Sequence, residues 1–173
     1  MIKFSPFKAG LTGLIILGLL LAGCGFKLRG SGPALAWPDQ LVTLQLRFDS
    51  SVNPDFRRLL RQRLVGGFAV KIVKQGAPEL AISAVILDRR VLSLNATGKV
   101  SEYLLRLQVS FELHGNDGKS IIEKQTVRLQ RDFSFSRLDI LAQEVEQASL
   151  SEQMQNDAVR RILRRVIALT KSS

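Results

Sequence analysis

From Tyr103 to Leu113 every second residue is large and apolar. Tyr103, Leu105, Leu107, Val109, Phe111 and Leu113 share one parity, and Glu102, Arg106, Gln108, Ser110, Glu112 and His114 hold the other, with Leu104 the only exception. Successive side chains of a strand point to opposite faces, so this run is a strand in an antiparallel sheet covered on one side and open on the other. Gly115-Asn116-Asp117-Gly118 then forms a tight hairpin turn. Residues 119–135 return as its partner, with Val127, Leu129, Phe133 and Phe135 alternating after a polar start. Such a hairpin has one apolar face and needs a second layer to cover it.

Two stretches can supply that layer. Asn53-Pro54-Asp55 reads as a helix start: a capping side chain, a proline in the first turn and an acid near the positive end. Phe56, Leu59, Leu60 and Leu64 fall on one face, Arg57, Arg58, Arg61 and Gln62 on the opposite one, and Gly66-Gly67 is expected to end the helix. A longer helix is expected over residues 143–169, after a connector at 136–142. Val159, Ile162, Leu163, Val166 and Ile167 form its apolar stripe, and Arg160, Arg161, Arg164 and Arg165 lie opposite.

The remaining segments are β-rich. Residues 41–48 alternate, with Val42, Leu44, Leu46 and Phe48 inward, and residues 68–74 form a second short strand. Residues 79–94 are a long run with Leu80, Ile82, Ala84 and Ile86 on one face, interrupted at Asp88-Arg89-Arg90. The order is β-α-β-β-β-β-α. The expected fold is α+β: a two-layer sandwich with two helices packed on one face of a four- to five-stranded, mostly antiparallel sheet. Trp37 is expected to cap one end of the core.

The beginning of the chain has a different character. Lys3 and Lys8 precede an uncharged run of 14 residues, Ala9 to Ala22, and Leu21-Ala22-Gly23-Cys24 closes it with the only cysteine in the sequence. A basic start, an apolar middle and small residues before a cut describe a secretory signal peptide. The run is short of the roughly 20 residues that a spanning helix needs. A cysteine directly after the cut makes it a lipobox: the Cys24 thiol takes a diacylglyceryl group, and several acyl chains anchor where one alone binds marginally. The expected organisation is a cleaved signal at 1–23, a lipidated tether at 24–40 and one domain at 41–173. Gly25, in place of the aspartate that retains lipoproteins at the inner membrane, points to the outer membrane. With Cys24 acylated, the mature chain has no disulfide and no thiolate metal site, and no metal or cofactor is expected.

The 25 Lys+Arg outweigh the 15 Asp+Glu. A basic domain of this size invites a nucleic-acid reading, but an exported lipoprotein meets lipid phosphates and lipopolysaccharide instead, so no nucleic-acid partner is expected. Catalytic patterns are missing. His114 is the only histidine and stands beside a turn, no nucleophile elbow or phosphate-cradling loop is present, and the acids Glu144 and Glu146 sit where a helix start wants negative charge. The chain therefore reads as a binding or assembly protein, not an enzyme. Two surfaces stand out: the open strand face with Arg106 and Gln108, and the loop at Thr97-Gly98-Lys99 with Arg89 and Arg90 near it.

Two segments carry a family resemblance. Cys24-Gly25-Phe26-Lys27-Leu28-Arg29-Gly30 resembles the start of the mature LptE family of outer-membrane lipopolysaccharide-assembly lipoproteins, where Cys-Gly-Phe/Trp-x-Leu-Arg is common. Thr97-Gly98-Lys99-Val100-Ser101-Glu102-Tyr103 resembles that family's loop and strand ending in Ala/Ser-Glu-Tyr. The resemblance implies a lipoprotein that plugs and helps assemble the LptD β-barrel and binds lipopolysaccharide, held in outer-membrane lipid through Cys24. Carried over, the family's lipopolysaccharide-binding loop falls on Thr97, Gly98 and Lys99; Arg89 and Arg90 are expected near it, and Arg106 and Gln108 on the open face are the expected barrel contacts. The family's loop arginine, two places before the glycine, is Ala96 here, which leaves Lys99 or Arg90 to supply its charge. An envelope lipoprotein that binds a soluble ligand or inhibits a secreted enzyme is the alternative.

Overall fold

A computed structural model describes residues 36–134 and 140–171, with side chains from residue 144 onward in the second segment. The signal segment, Cys24, the motif at 25–30, Phe135 and residues 136–139 of the connector lie outside the described residues. Those described belong to one compact unit, Leu35–Ser173. A 3-10 turn at Asp39–Leu41 leads into β1 (Thr43–Phe48), α1 (Pro54–Phe68), β2 (Lys71–Ile72), β3 (Glu79–Leu94), β4 (Val100–His114), β5 (Ser120–Ser134) and α2 (Ile140–Lys171).

The five strands form one mixed sheet in the order β2-β1-β3-β4-β5. The long pairs β3–β4 and β4–β5 are antiparallel; the short pairs β1–β2 and β1–β3 are parallel. A parallel neighbour needs a crossover, and α1 supplies it between β1 and β2. The next connection is short because β2 stops opposite Leu44 and β3 begins opposite Gln45. The chain therefore crosses β1 at the level of Leu44 and Gln45 without running back along it.

The expected alternation of β4 holds. Leu105, Leu107, Val109, Phe111 and Leu113 are buried against Phe56, Leu60 and Leu64 of α1 and Met154, Val159, Ile162 and Val166 of α2. Each such side chain contributes roughly 1.5–3 kcal/mol by leaving water, and this shared core is what sets both helices on one face. Asn53 caps α1 as expected, its Oδ1 accepting from the Phe56 N–H at 2.7 Å. Trp37 packs on the core's edge, its ring 4.9 Å from that of Phe68, and donates Nε1–H to the Leu41 carbonyl at 2.8 Å.

Several expectations are corrected. Gly66-Gly67 does not end α1; the helix runs on to Phe68 and stops at Ala69, which takes the left-handed conformation at φ 54°. The Val70 N–H turns back to the Leu64 carbonyl, and burial of Val70 and the Phe68–Trp37 contact hold that end in place. The strand expected at 68–74 shrinks accordingly to Lys71–Ile72. Val42 is half exposed and precedes β1, so only the later residues of 41–48 behave as expected. Finally, β3 is one continuous strand through Asp88-Arg89-Arg90, and its first irregularity falls between Ile82 and Ala84. That bulge inverts the side-chain parity: Leu80 and Ile82 face the core, whereas Ala84 and Ile86 face the open side, opposite Ser110 and Gln108. The helix expected from residue 143 begins at Ile140, so 140–142 belong to it and not to the connector.

Candidate functional site

The loop with Lys99 is a tight hairpin turn. The Gly98 N–H bonds the Asn95 carbonyl at 2.9 Å, the Asn95 N–H bonds the Lys99 carbonyl at 2.8 Å, and Gly98 sits at φ 74°. This is a turn followed by a left-handed bulge residue. The Asn95 side chain fixes it, Oδ1 accepting from the Thr97 N–H at 3.0 Å, the Thr97 hydroxyl at 2.8 Å and the Lys99 N–H at 3.1 Å. A rigid turn therefore presents Lys99 to solvent, with no ion pair to it among the described residues.

Arg89 and Arg90 do not join Lys99 in one cluster. Arg89 lies opposite Leu105, on the covered side; Arg90 lies opposite Leu104, on the open side. The Arg89 guanidinium stacks over the Tyr103 ring at 4.4 Å and donates to Gln147 Oε1 of α2 at 2.7 Å. It ties the sheet to the helix layer. Arg90 donates Nε–H to Asp88 Oδ2 at 3.3 Å. Both arginines stand on the order of 13 Å or more along the strand from the loop, four strand residues at about 3.3 Å each.

The open face is a charged surface. Arg106 donates Nη2–H to Asp88 Oδ2 at 2.7 Å and Nε–H to Oδ1 at 3.3 Å. That guanidinium holds the Asp88 carboxyl below its ordinary range, and Arg90 adds to the effect. Gln108 lies between Ile86 and Arg128 on the same face. Nearer the other end, Arg47 pairs with Glu79 at 2.6 Å and with Glu112 at 3.5 Å. The Glu79 contact leads in raising the Arg47 guanidinium above its ordinary value. His114 stands 3.6 Å from Glu112 within this network. Among the described residues no three histidine, cysteine or carboxylate side chains come together as a metal site.

The sequence pattern did not single out a further surface. Towards the Lys99 turn the helix layer stops covering β3. Val91 is 54%, Leu92 51% and Leu94 59% exposed, and Val145 at the start of α2 is 70% exposed. Leu87 and Val91 stand on the covered parity, opposite Leu107 and Tyr103, yet both reach solvent. Large apolar side chains on both faces of one projecting hairpin mark an interaction surface. The signal was present in the sequence: Val91-Leu92-Ser93-Leu94 puts apolar residues on both parities, where a half-buried strand alternates.

The chain is thus an open α+β sandwich with a salt-bridged sheet face and an apolar hairpin end that carries one lysine turn. The family described as LptE, lipopolysaccharide-assembly, matches residues 41–166, and the chain belongs to that family. It is 30% identical over 167 residues to the LPS-assembly lipoprotein LptE of Pectobacterium atrosepticum, covering 91% of this chain and 86% of that one. The LPS-assembly lipoprotein LptE of Photorhabdus laumondii is 27% identical, covering 92% of this chain and 84% of that one. The fold is similar to the solution structure of lipoprotein B from Nitrosomonas europaea, with a TM-score of 0.71, 28% identity and coverage of 85% and 93%. Rare lipoprotein B from Shewanella oneidensis gives a TM-score of 0.65 at 29% identity, covering 73% of this chain and 94% of that one. No helix among the described residues is long and apolar enough to cross a membrane.

Proposed function

We propose that this chain is an outer-membrane lipoprotein, acylated at Cys24, that plugs and helps assemble the LptD β-barrel and binds lipopolysaccharide on its way to the outer leaflet. The exposed apolar hairpin end supports this reading best: Val91, Leu92 and Leu94 stay in solvent unless a partner or a lipid covers them. Lys99 sits at the tip of the same hairpin, so an anionic headgroup and an apolar surface meet at one end. Arg89 and Arg90 stand further down the same strand, one on each face of the sheet. On the open face, Arg106, paired with Asp88, and Gln108 offer the barrel a polar surface.

Copurification tests the reading. A tagged full chain extracted in mild detergent is expected to bring down a large outer-membrane β-barrel, and photo-crosslinkers at positions 92 and 94 are expected to join the two. A chain that elutes alone, with no crosslink from either position, rules out the plug.

A further inference from the structure

The second half of α2 carries more positive charge than the fold requires. From Ala158 to Lys171 it has no acid and four arginines, Arg160, Arg161, Arg164 and Arg165. Asp157, one turn earlier, pairs with Arg160 and with Arg131 of β5. Arg161, Arg164 and Arg165 have no ion pair among the described residues. The helix dipole does not account for them, because it favours cations only within the last turn, and Arg165 stands six residues before Lys171. A solvated helix surface does not account for them either: Arg161 repels Arg164 and Arg165 at three- and four-residue spacing, where an ordinary surface alternates signs.

These side chains form a shaped site. Arg161, Arg164 and Arg165 line a groove of about 360 Å³ whose opposite wall is the outer edge of β5, with Arg128 reaching in from the sheet. The Arg165 Nη1–H donates to the Thr126 carbonyl at 3.3 Å, which fixes that guanidinium at the edge strand. No carboxylate lines the groove. Arg164 also borders a second hollow of about 310 Å³ between the helices, which is mainly apolar. Phe68 and Leu163 line it together with the side chains of Arg63 and Arg160, and Gly67, where an added Cβ would meet nothing within 4 Å, leaves its floor open.

We propose that this face binds a phosphate-bearing amphiphile. The phosphate lies in the groove on Arg161, Arg164 and Arg165, and the apolar part lies on Phe68 and Leu163 over Gly67. Guanidinium groups match phosphate oxygens with paired, charge-assisted bonds. Arg164, shared by both hollows, sets the point where headgroup meets chain. An acidic peptide would use the arginines but has no need of the apolar hollow. This site lies apart from the Lys99 turn and does not depend on the barrel partner.

The sole tryptophan is a built-in reporter, because Trp37 stacks on Phe68, one wall of the hollow. The experiment is a titration of Trp37 fluorescence on the full chain in dodecyl maltoside micelles, with dodecyl phosphate, dodecyl trimethylammonium, inorganic phosphate or a polyglutamate peptide added. A saturable change is expected with dodecyl phosphate alone. Replacing Arg161, Arg164 and Arg165 together by Gln should weaken it at least about tenfold, as loss of charge-assisted bonds does, while the melting temperature holds or rises because like charges are removed. Gly67→Leu, which fills the hollow and leaves every charge, should weaken it by a similar factor and keeps the test alive if the triple variant misfolds. Equal affinity of all three proteins for dodecyl phosphate overturns the proposal. So does an equal response to inorganic phosphate, and a stronger response to polyglutamate reassigns the face to an acidic protein. Barrel copurification is independent of each of these outcomes.

Discussion

Exchanging Gly66 and Ala69 should make the protein more stable. The wild-type chain places glycine inside α1 and alanine in the left-handed position that ends it. Each residue is in the place that suits the other. Left-handed backbone costs a residue with a Cβ roughly 1–2 kcal/mol, and glycine in a helix interior costs about 0.8–1 kcal/mol relative to alanine. Part of that second figure is the entropy of glycine in the unfolded chain. The double variant Gly66→Ala/Ala69→Gly has the composition of the parent, so the unfolded-state contribution cancels and the native gain remains, about 1–2 kcal/mol. Nothing lies within 4 Å of a Cβ at position 66, so no clash offsets it. At an unfolding entropy of about 2.1 cal/mol/K per residue, a domain of this size shifts by roughly 3–4 °C per kcal/mol. The expected rise in melting temperature is therefore about 3–8 °C, followed by far-UV circular dichroism on the full chain in detergent and checked by urea unfolding. If α1 instead ended at Gly66-Gly67, alanine at 66 would cost stability. A fall in both measures refutes the assignment of Ala69 as the helix stop.

Three further outcomes follow from the site. Lys99→Ala should weaken lipopolysaccharide capture in a pull-down without moving the melting temperature, whereas Arg89→Ala should lower stability by roughly 0.5–1 kcal/mol through the lost Tyr103 stacking; an equal thermal effect of the two would place Arg89 in the loop cluster after all. Arg106 holds the Asp88 carboxyl below its ordinary value of 3.8, so its pairing stabilises the folded state above that pH and is lost as pH falls through the lower folded-state value. The stability difference between wild type and Asp88→Asn should accordingly vanish in strong acid and be largest near neutrality, and a difference that grew below pH 3.8 would contradict the pairing. Arg106→Glu should reduce barrel copurification; adding Asp88→Arg restores the internal pair, so recovery in the double variant means that the pair matters, and continued loss means that the barrel reads the charge at position 106.

Where one physical signal dominated a segment, the fold was legible. The β4 alternation stands in one sheet face with no competing pattern, and the Asn53 cap and the α2 stripe are local features that tertiary structure left alone. The misreadings all occur where long-range contacts outweigh local preference. Two glycines look like a helix stop, but the buried Val70 and the Phe68–Trp37 contact extend α1 past them. The charges of Asp88-Arg89-Arg90 look like a strand break, but Asp88 finds Arg106 across the open face and Arg89 finds Tyr103 on the covered one. The bulge after Ile82 is set by the register with β4 and has no residue of its own to announce it.

The candidate site shows the same division between type and place. Which residues carry charge is written in the sequence, but what neutralises each one is decided by the fold. Arg89 and Arg106 look like free cations on paper and are engaged by Tyr103, Gln147 and Asp88. Arg161, Arg164 and Arg165 look like an ordinary helix surface, yet they stand together without an acid in the groove they line. Charge that is paired inside the fold is a poor guide to ligands, because a ligand must first displace the internal partner. Charge left unpaired costs stability through mutual repulsion, and a fold that keeps it there has its strongest electrostatic preference for an anion from outside. By that criterion Lys99 and the α2 arginines, at separate places on the domain, are the proposed anion sites at which a ligand breaks no ion pair described in the fold.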